Sequence, residues 1–348
     1  VKLHGAGLAL TFVVAAVSWL VVQEYGREQV SHPLRDTMID AVRRTERAFA
    51  VVDSAKRAEG CGFAAEARLP WASLLGEDYT VMTTTLGSRE AKEVSTDPAW
   101  ASVMVRLLNE AGVAEGDTVA VLISSSFPAL AIAALAGLHE MGAVPLVMSS
   151  VGASSYGANV RGGTWLDWER WLRSDGVLQV RSALVTPGGE DDVAAGMPEE
   201  GRIWIEEAAQ RNGAALLRPA SLSDAVSIRM ALLGRTRPRA VINIGGGQAS
   251  LGACRHAASL PVGLWESTPE CDCPDRGMLT RLSEQGVPVI HLLQIRRLAS
   301  LYGLDPEPGG LRAYHANVTM LTRIRGAWIL AALSVILVSL LIFGKRPL

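Results

Sequence analysis

Hydrophobic and polar positions fall into three regimes along this chain. Gly5 to Val22 is 18 residues without a charge, and Gly326 to Gly344 is 19. Each is about the length that crosses a bilayer core of roughly 30 Å. The first run lacks an A-x-A-like exit, which argues against a cleaved signal peptide. Lys345 and Arg346 follow the second run, which favours a membrane anchor over a buried core helix. The pattern predicts transmembrane anchors over 1–25 and 326–344, with a folded domain over 36–310 between them.

Within that domain the hydrophobic period switches repeatedly between the strand and the helix value. Met38, Ile39, Val42, Phe49 and Val52 can share one helical stripe over 36–56. YTVMTTT (79–85) predicts a strand. Asp97-Pro98 predicts a helix start, with Trp100, Val103, Met104, Leu107 and Leu108 on one face. Thr118–Ile123 reads as a buried parallel strand, Ala129–Met141 as a helix stopped by Gly142, and Val144–Met148 as the next strand. Trp165, Trp168 and Leu172 share a helix side, and Glu169 and Arg173 are spaced to pair. Strands are expected over 181–186, 214–217, 239–244 and 287–293. Helices are expected from Pro198 to near Gly213 and over 221–233, 278–285 and 294–302, and 263–275 reads as irregular. Pro306, Pro308, Gly309 and Gly310 read as a linker. The alternation predicts an α/β fold: a doubly wound, mostly parallel, Rossmann-like sheet, divisible into lobes over 79–187 and 213–303, flanked by the two transmembrane helices.

Composition narrows this further. With 33 basic and 35 acidic residues, net charge gives no argument for nucleic acid. Lys2, Lys345 and Arg346 oppose Arg27, Arg35, Arg323 and Arg325 across the two spans. The expectation is a cell-membrane protein with both ends inside and the central domain extracytoplasmic. Cys271 and Cys273 stand one residue apart, which is not the C-x-x-C spacing of zinc or redox sites. A disulfide from this loop to Cys254 and unpaired cysteines both stay open. His4, His32, His139, His256, His291 and His315 are scattered, and no metal site is expected.

Ligands of parallel α/β sheets bind beyond the carboxyl ends of the strands. Three small-residue loops are expected at that edge. Ser124, Ser125 and Ser126 precede a helix with proline in its first turn. Hydroxyls and free N–H groups at a helix N-terminus suit a carboxylate or phosphate. Capping with tight packing is an equal alternative. A nucleophilic serine needs a nearby base, and no G-x-S-x-G elbow is present here. The second loop, 149–159, offers Ser149, Ser150, Ser154, Ser155 and Asn159. The third, Gly245, Gly246 and Gly247 with Gln248, follows a strand but matches neither G-x-G-x-x-G nor the P-loop. Ser88, Arg89 and Lys92 can bring positive charge to the same edge, and a solvated helix start is an equal alternative. Asp167 and Glu169, two residues apart on a helix, do not face each other. Asp167 is expected only as a partner of the helix dipole.

TTTLGSREAK (83–92), SFPAL (126–130), SSVGASSYGAN (149–159), TWLDWE (164–169) and NIGGGQASLG (243–252), with the terminal anchors, resemble the poly-gamma-glutamate system protein family. The resemblance implies a bacterial cell-envelope membrane component of machinery that makes or exports poly-γ-glutamate, a capsule-like anionic polymer. Its implied partners are other poly-γ-glutamate synthesis proteins and the polymer or a precursor of it. It assigns no catalytic residue and no cofactor. Two classes stay open: a non-catalytic component that binds an anionic ligand, and a serine-dependent hydrolase or transferase acting on γ-glutamyl amide bonds through Ser125 or Ser126.

Overall fold

The structure, a computed structural model, describes residues 2–61, 70–254, 257–270, 275–308 and 318–343. In chain order its first elements are α1 (Lys2–Tyr25), β1 (Arg27–Ser31), α2 (Arg35–Ala58), α3 (Arg89–Val94), α4 (Trp100–Glu110), β2 (Thr118–Ile123), α5 (Pro128–Glu140), β3 (Val144–Ser150), α6 (Trp165–Asp175) and β4 (Leu184–Thr186). There follow α7 (Glu199–Arg211), α8 (Leu222–Thr236), β5 (Ala240–Ile244), α9 (Gln248–Leu251), β6 (Gly263–Leu264), α10 (Met278–Glu284), β7 (Val289–Leu292), α11 (Ile295–Tyr302), β8 (Met320–Ile324) and α12 (Gly326–Phe343). These form two compact units: the two ends of the chain together, and Asp36–Val318.

In the terminal unit, α1 and α12 pack against each other. A Cβ on Gly7 would stand 2.4 Å from the Phe343 carbonyl oxygen, and one on Gly26 would stand 3.2 Å from Trp328 Cβ. The start of one helix thus meets the end of the other, so the pair is antiparallel. Gly7–Tyr25 and Gly326–Phe343 are each long and apolar enough to cross a membrane, and both are largely exposed. An antiparallel ribbon of β1 and β8, running from Arg27↔Ile324 to Ser31↔Met320, closes the unit. Glu28 accepts from Arg323 at 2.7 Å and Arg325 at 3.1 Å. The ribbon was not expected from the sequence; each strand is only five residues long, and only the partner from the far end of the chain completes it.

The central unit holds one sheet, ordered β4-β3-β2-β5-β7-β6, parallel except for the edge strand β6. It is an α/β fold with a mostly parallel sheet, as the alternating pattern predicts. Ala120 and Leu122 of β2 join Val241 and Val289 in a core with Ala225, Val226 and Leu233 of α8 and Leu279 and Leu282 of α10. Alternation sends Val119, Val121 and Ile123, also buried, to the other face. Helix α5 is buried on all sides from Pro128 to Leu138. Its alanines and Gly137 permit close packing on α4: a Cβ on Gly137 would lie 3.1 Å from that of Met104.

Several expected elements differ. Residues 79–85 form a turn rather than a strand. Thr80 N–H donates to Thr83 Oγ1 at 2.9 Å, Thr80 Oγ1 to the Asn159 carbonyl at 2.6 Å, and Asn159 Nδ2 to Thr83 Oγ1 at 3.0 Å. These hydroxyls outcompete a ladder, and only Thr83 bridges, to Ala153. The strand expected over 214–217 reduces to one bridge, Val185↔Leu216, and that over 181–186 to Leu184–Thr186. Glu169 and Arg173 do not pair. Glu169 is buried and accepts from Trp165 Nε1 at 2.7 Å and from the Ser182 hydroxyl and N–H, while Arg173 donates to the Val180 carbonyl. Burial raises the Glu169 carboxyl above its ordinary value. Cys254 is disulfide-bonded, and Cys61 is free and buried. Cys271, Cys273, His256, Gly309, Gly310, His315, Gly344, Lys345 and Arg346 lie outside the described residues.

Candidate functional site

The register of the sheet places the site. Ile123 is level with Ser149 of β3 and with Ile244 of β5, so all three loops leave the same edge side by side. The chain passes from β2 to β3 on one side and returns to β5 on the other, so the strand order reverses at β2. A crevice opens where it does. Here it is a cavity of about 630 Å³, lined by Thr84–Ser88 and Lys92, by Ser124, Ser126 and Phe127, by Ser150, Gly152 and Ser154, by Gly189, Glu190 and Asp192, and by Gly246–Gln248 and Leu293. The three loops and the start of α3 therefore meet.

One corner of the cavity is formed by Ser124 and the glycine turn. Gly245 has φ +90° and faces Ser124 so closely that a Cβ would overlap the hydroxyl. Asn243 Nδ2 holds the turn, donating to the Gly245 carbonyl at 2.8 Å, and lies 3.0 Å from His291 Nδ1. Burial lowers His291 to about 4, so its ring is neutral and Nδ1 accepts. The Ser124 hydroxyl is buried and has no hydrogen-bond partner among the described residues. Gly246 and Gly247 have no positive φ, and a Cβ on Gly246 would meet only Leu293, at 4.0 Å. Neither the turn nor packing requires glycine at 246; its missing side chain leaves open space in the cavity.

A second corner holds Lys92, Ser126 and Ser154. Lys92 is 2% exposed. Its Nζ contacts the Ser126 carbonyl, lies 2.8 Å from Ser154 Oγ, and sits 3.7 Å from the centre of the Phe127 ring. Among the described residues no carboxylate forms an ion pair with it. Burial lowers its pKa to about 7. Ser126 Oγ donates to the Ser124 carbonyl at 3.2 Å and accepts from Ser154 N–H at 3.1 Å. A third corner carries Asp192, paired with Arg229 at 2.7 Å and accepting from Thr186 Oγ1 at 3.0 Å. Burial raises the Asp192 carboxyl.

Of the expected site residues, Ser124, Ser126, Ser150, Ser154, Gly246, Gly247, Gln248 and Ser88 line the cavity. The others hold it together. Ser125, fully buried at φ +51°, donates to the Ser150 carbonyl, and its own carbonyl accepts from Ala158 N–H at 3.0 Å. Ser149 Oγ lies 2.7 Å from Ser182 Oγ, and Asn159 clamps Glu77 and Thr83. Ser155 is 1% exposed, and Gly245 shapes the turn. Ser88 caps α3, accepting from Ala91 N–H, and Arg89 pairs with Glu93 at 2.9 Å. Asp192, Arg229 and Phe127 were not anticipated. No spacing rule connects an aspartate in the 190–200 loop with an arginine on α8. Asp167 does more than meet a dipole: with Thr164 it forms a capping box, and it binds Arg211 at 2.9 Å.

Compared with protein-family models, with curated proteins and with solved structures, the chain matches none.

Proposed function

We propose that this protein is a membrane-anchored component of a poly-γ-glutamate synthesis or export system, and that the cavity binds a carboxylate-bearing ligand such as a γ-glutamyl chain or its precursor. One observation carries the reading. Four of the five segments that resemble the poly-gamma-glutamate system protein family, 83–92, 126–130, 149–159 and 243–252, each contribute lining residues to the one cavity. The buried Ser124 hydroxyl and the open backbone at Gly246–Gly247 supply neutral donors to an anion. The nearby Arg229 is already neutralised by Asp192, so binding depends on fixed dipoles more than on net charge.

The strand order is read as doubly wound and Rossmann-like, with its ligand at the reversal point. The two apolar helices are read as crossing the cell membrane, with the central unit extracytoplasmic. The Cys254 disulfide supports that side, since such bonds persist in oxidising compartments. Other poly-γ-glutamate synthesis proteins are the expected partners.

The test is equilibrium binding of fluorescent oligo-γ-glutamate to the full chain in detergent micelles. Saturable binding is expected, weakened at least about tenfold by Ser124→Ala, with a smaller change between low and high salt than a basic patch would show. Absent binding, or binding indifferent to Ser124→Ala, overturns the reading.

A further inference from the structure

Among the described residues, Ser154 is the one serine of the cavity whose hydroxyl meets a basic side chain. Ser125 and Ser126 donate their hydroxyls to backbone carbonyls, and Ser124 has no base bonded to it among the described residues. Ser154 Oγ lies 2.8 Å from Lys92 Nζ. An amine nitrogen has four tetrahedral positions, one taken by its own stem. Around Nζ stand the Ser126 carbonyl, the Phe127 ring and Ser154 Oγ. The carbonyl and the ring face can only accept. A neutral amine that gives its two N–H groups to them keeps its lone pair to accept from the serine hydroxyl.

We propose that Ser154 is a nucleophile and Lys92 its general base, and that the cavity carries out acyl transfer on an amide or ester. In the first step Ser154 Oγ bonds to the acyl carbon while its proton passes to Lys92. The tetrahedral adduct then expels the amine or alcohol, which takes that proton from Lys92, and a serine ester remains. Water attacks the ester, giving one proton to Lys92. The acid leaves as Ser154 recovers its oxygen–hydrogen bond from Lys92. This assignment is independent of the anionic-ligand reading, because the pair acts alike on neutral acyl groups.

Lys92 is suited to the role: burial holds it near 7, where an amine can both take and return a proton. The charged groups around it are engaged elsewhere. Arg89 pairs with Glu93, Glu90 accepts from Ser88, Asp192 pairs with Arg229, and Arg296 of the adjoining α11 pairs with Glu307. Glu190 lines the cavity without a bond to Nζ. A Cβ on Gly87 would lie 3.3 Å from Ser154 Oγ and 3.5 Å from Lys92 Cε, so a side chain there would crowd the pair.

The test treats the full chain in detergent with a fluorophosphonate, whose phosphorus accepts the serine oxygen and releases fluoride, and maps the adduct by peptide mass spectrometry. The adduct is expected on Ser154. Its rate should rise about tenfold per pH unit below about 7 and level off above, as Lys92 loses its proton. Lys92→Met should slow it at least about 100-fold, and Ser154→Ala should abolish it. No adduct on the wild-type chain, an adduct on another serine, or a rate indifferent to pH between 5 and 9 overturns the assignment. So does a folded Lys92→Met that reacts at the wild-type rate. The wild-type map and pH profile decide even if a variant fails to fold.

Discussion

Gly245 and Gly246 are neighbours with opposite requirements. At 245 the backbone sits at φ +90° with the Ser124 hydroxyl where a Cβ would go, so Gly245→Ala should cost about 1–3 kcal/mol and lower the denaturation midpoint. At 246 the backbone tolerates any residue and the Cβ would enter open space. Gly246→Ala should leave stability within about 0.5 kcal/mol while reducing oligo-γ-glutamate affinity severalfold in the same binding assay. A reversed pattern, with 246 structural and 245 functional, would remove the donor corner from the proposal. The three serines divide similarly. Ser125 knits two loops, Ser126 orients Ser154, and Ser124 keeps an unspent hydroxyl. Their sequence is uniform, and their roles follow from which way each turn of a strained loop points.

At the scale of elements, TWLDWE is the resembling segment that does not reach the cavity. It is a helix start. Thr164 N–H and Oγ1 both donate to Asp167 Oδ2, at 2.9 and 2.8 Å, and Arg211 closes on the same carboxylate from α7. Asp167 is fully buried, so Asp167→Ala removes a cap and strands a partly buried arginine. A loss of about 3 kcal/mol is expected, read as a lowered denaturant midpoint, with ligand binding and serine reactivity unchanged in the protein that remains folded. The helices of this fold were readable because their stripes are long: Trp100 to Leu108 and Trp165 to Leu172 are buried as their spacing requires. The 79–85 segment misled because β-branched threonines favour strands on average, yet a hydroxyl beside a loop asparagine takes the backbone bonds that a strand would need.

Across the whole molecule, buried amines set the pH response. Lys92 is held at about 7 and Lys56 at about 8, both chiefly by burial. Lys56 donates to the Ser73 and Leu75 carbonyls at 2.6 and 3.0 Å. Both folded values lie below the ordinary lysine value of about 10.4, so the unfolded chain binds more protons in between. Their contribution to stability therefore rises with pH from about 7 towards 10, and Lys92→Met should flatten part of that rise in denaturant titrations at pH 7 and pH 9. His291, lowered to about 4, acts in a lower window: its contribution is present above about 6.5 and is lost as pH falls towards 4. In the terminal unit, Ser31 and Met320 stand opposite in the ribbon register. Cysteines placed at both positions should cross-link on mild oxidation of the full chain in detergent, seen as a shift on non-reducing gels. A pair one residue out of register should cross-link poorly.

The sequence by itself determined the alternation of strands and helices, the two apolar spans and the loops worth watching, because periodicity and turn residues act over a few positions. It also pointed to the edge of the sheet where those loops gather, since parallel strands leave their loops at one end. Only the tertiary structure decided that Lys92 turns inward onto Ser154, that Asp192 finds Arg229, and that Arg27–Ser31 pairs with Met320–Ile324. Each of those contacts joins residues far apart in the chain. Burial then changes what the residue is, turning a lysine that would be a surface charge into an amine near neutrality, and no local pattern encodes that desolvation.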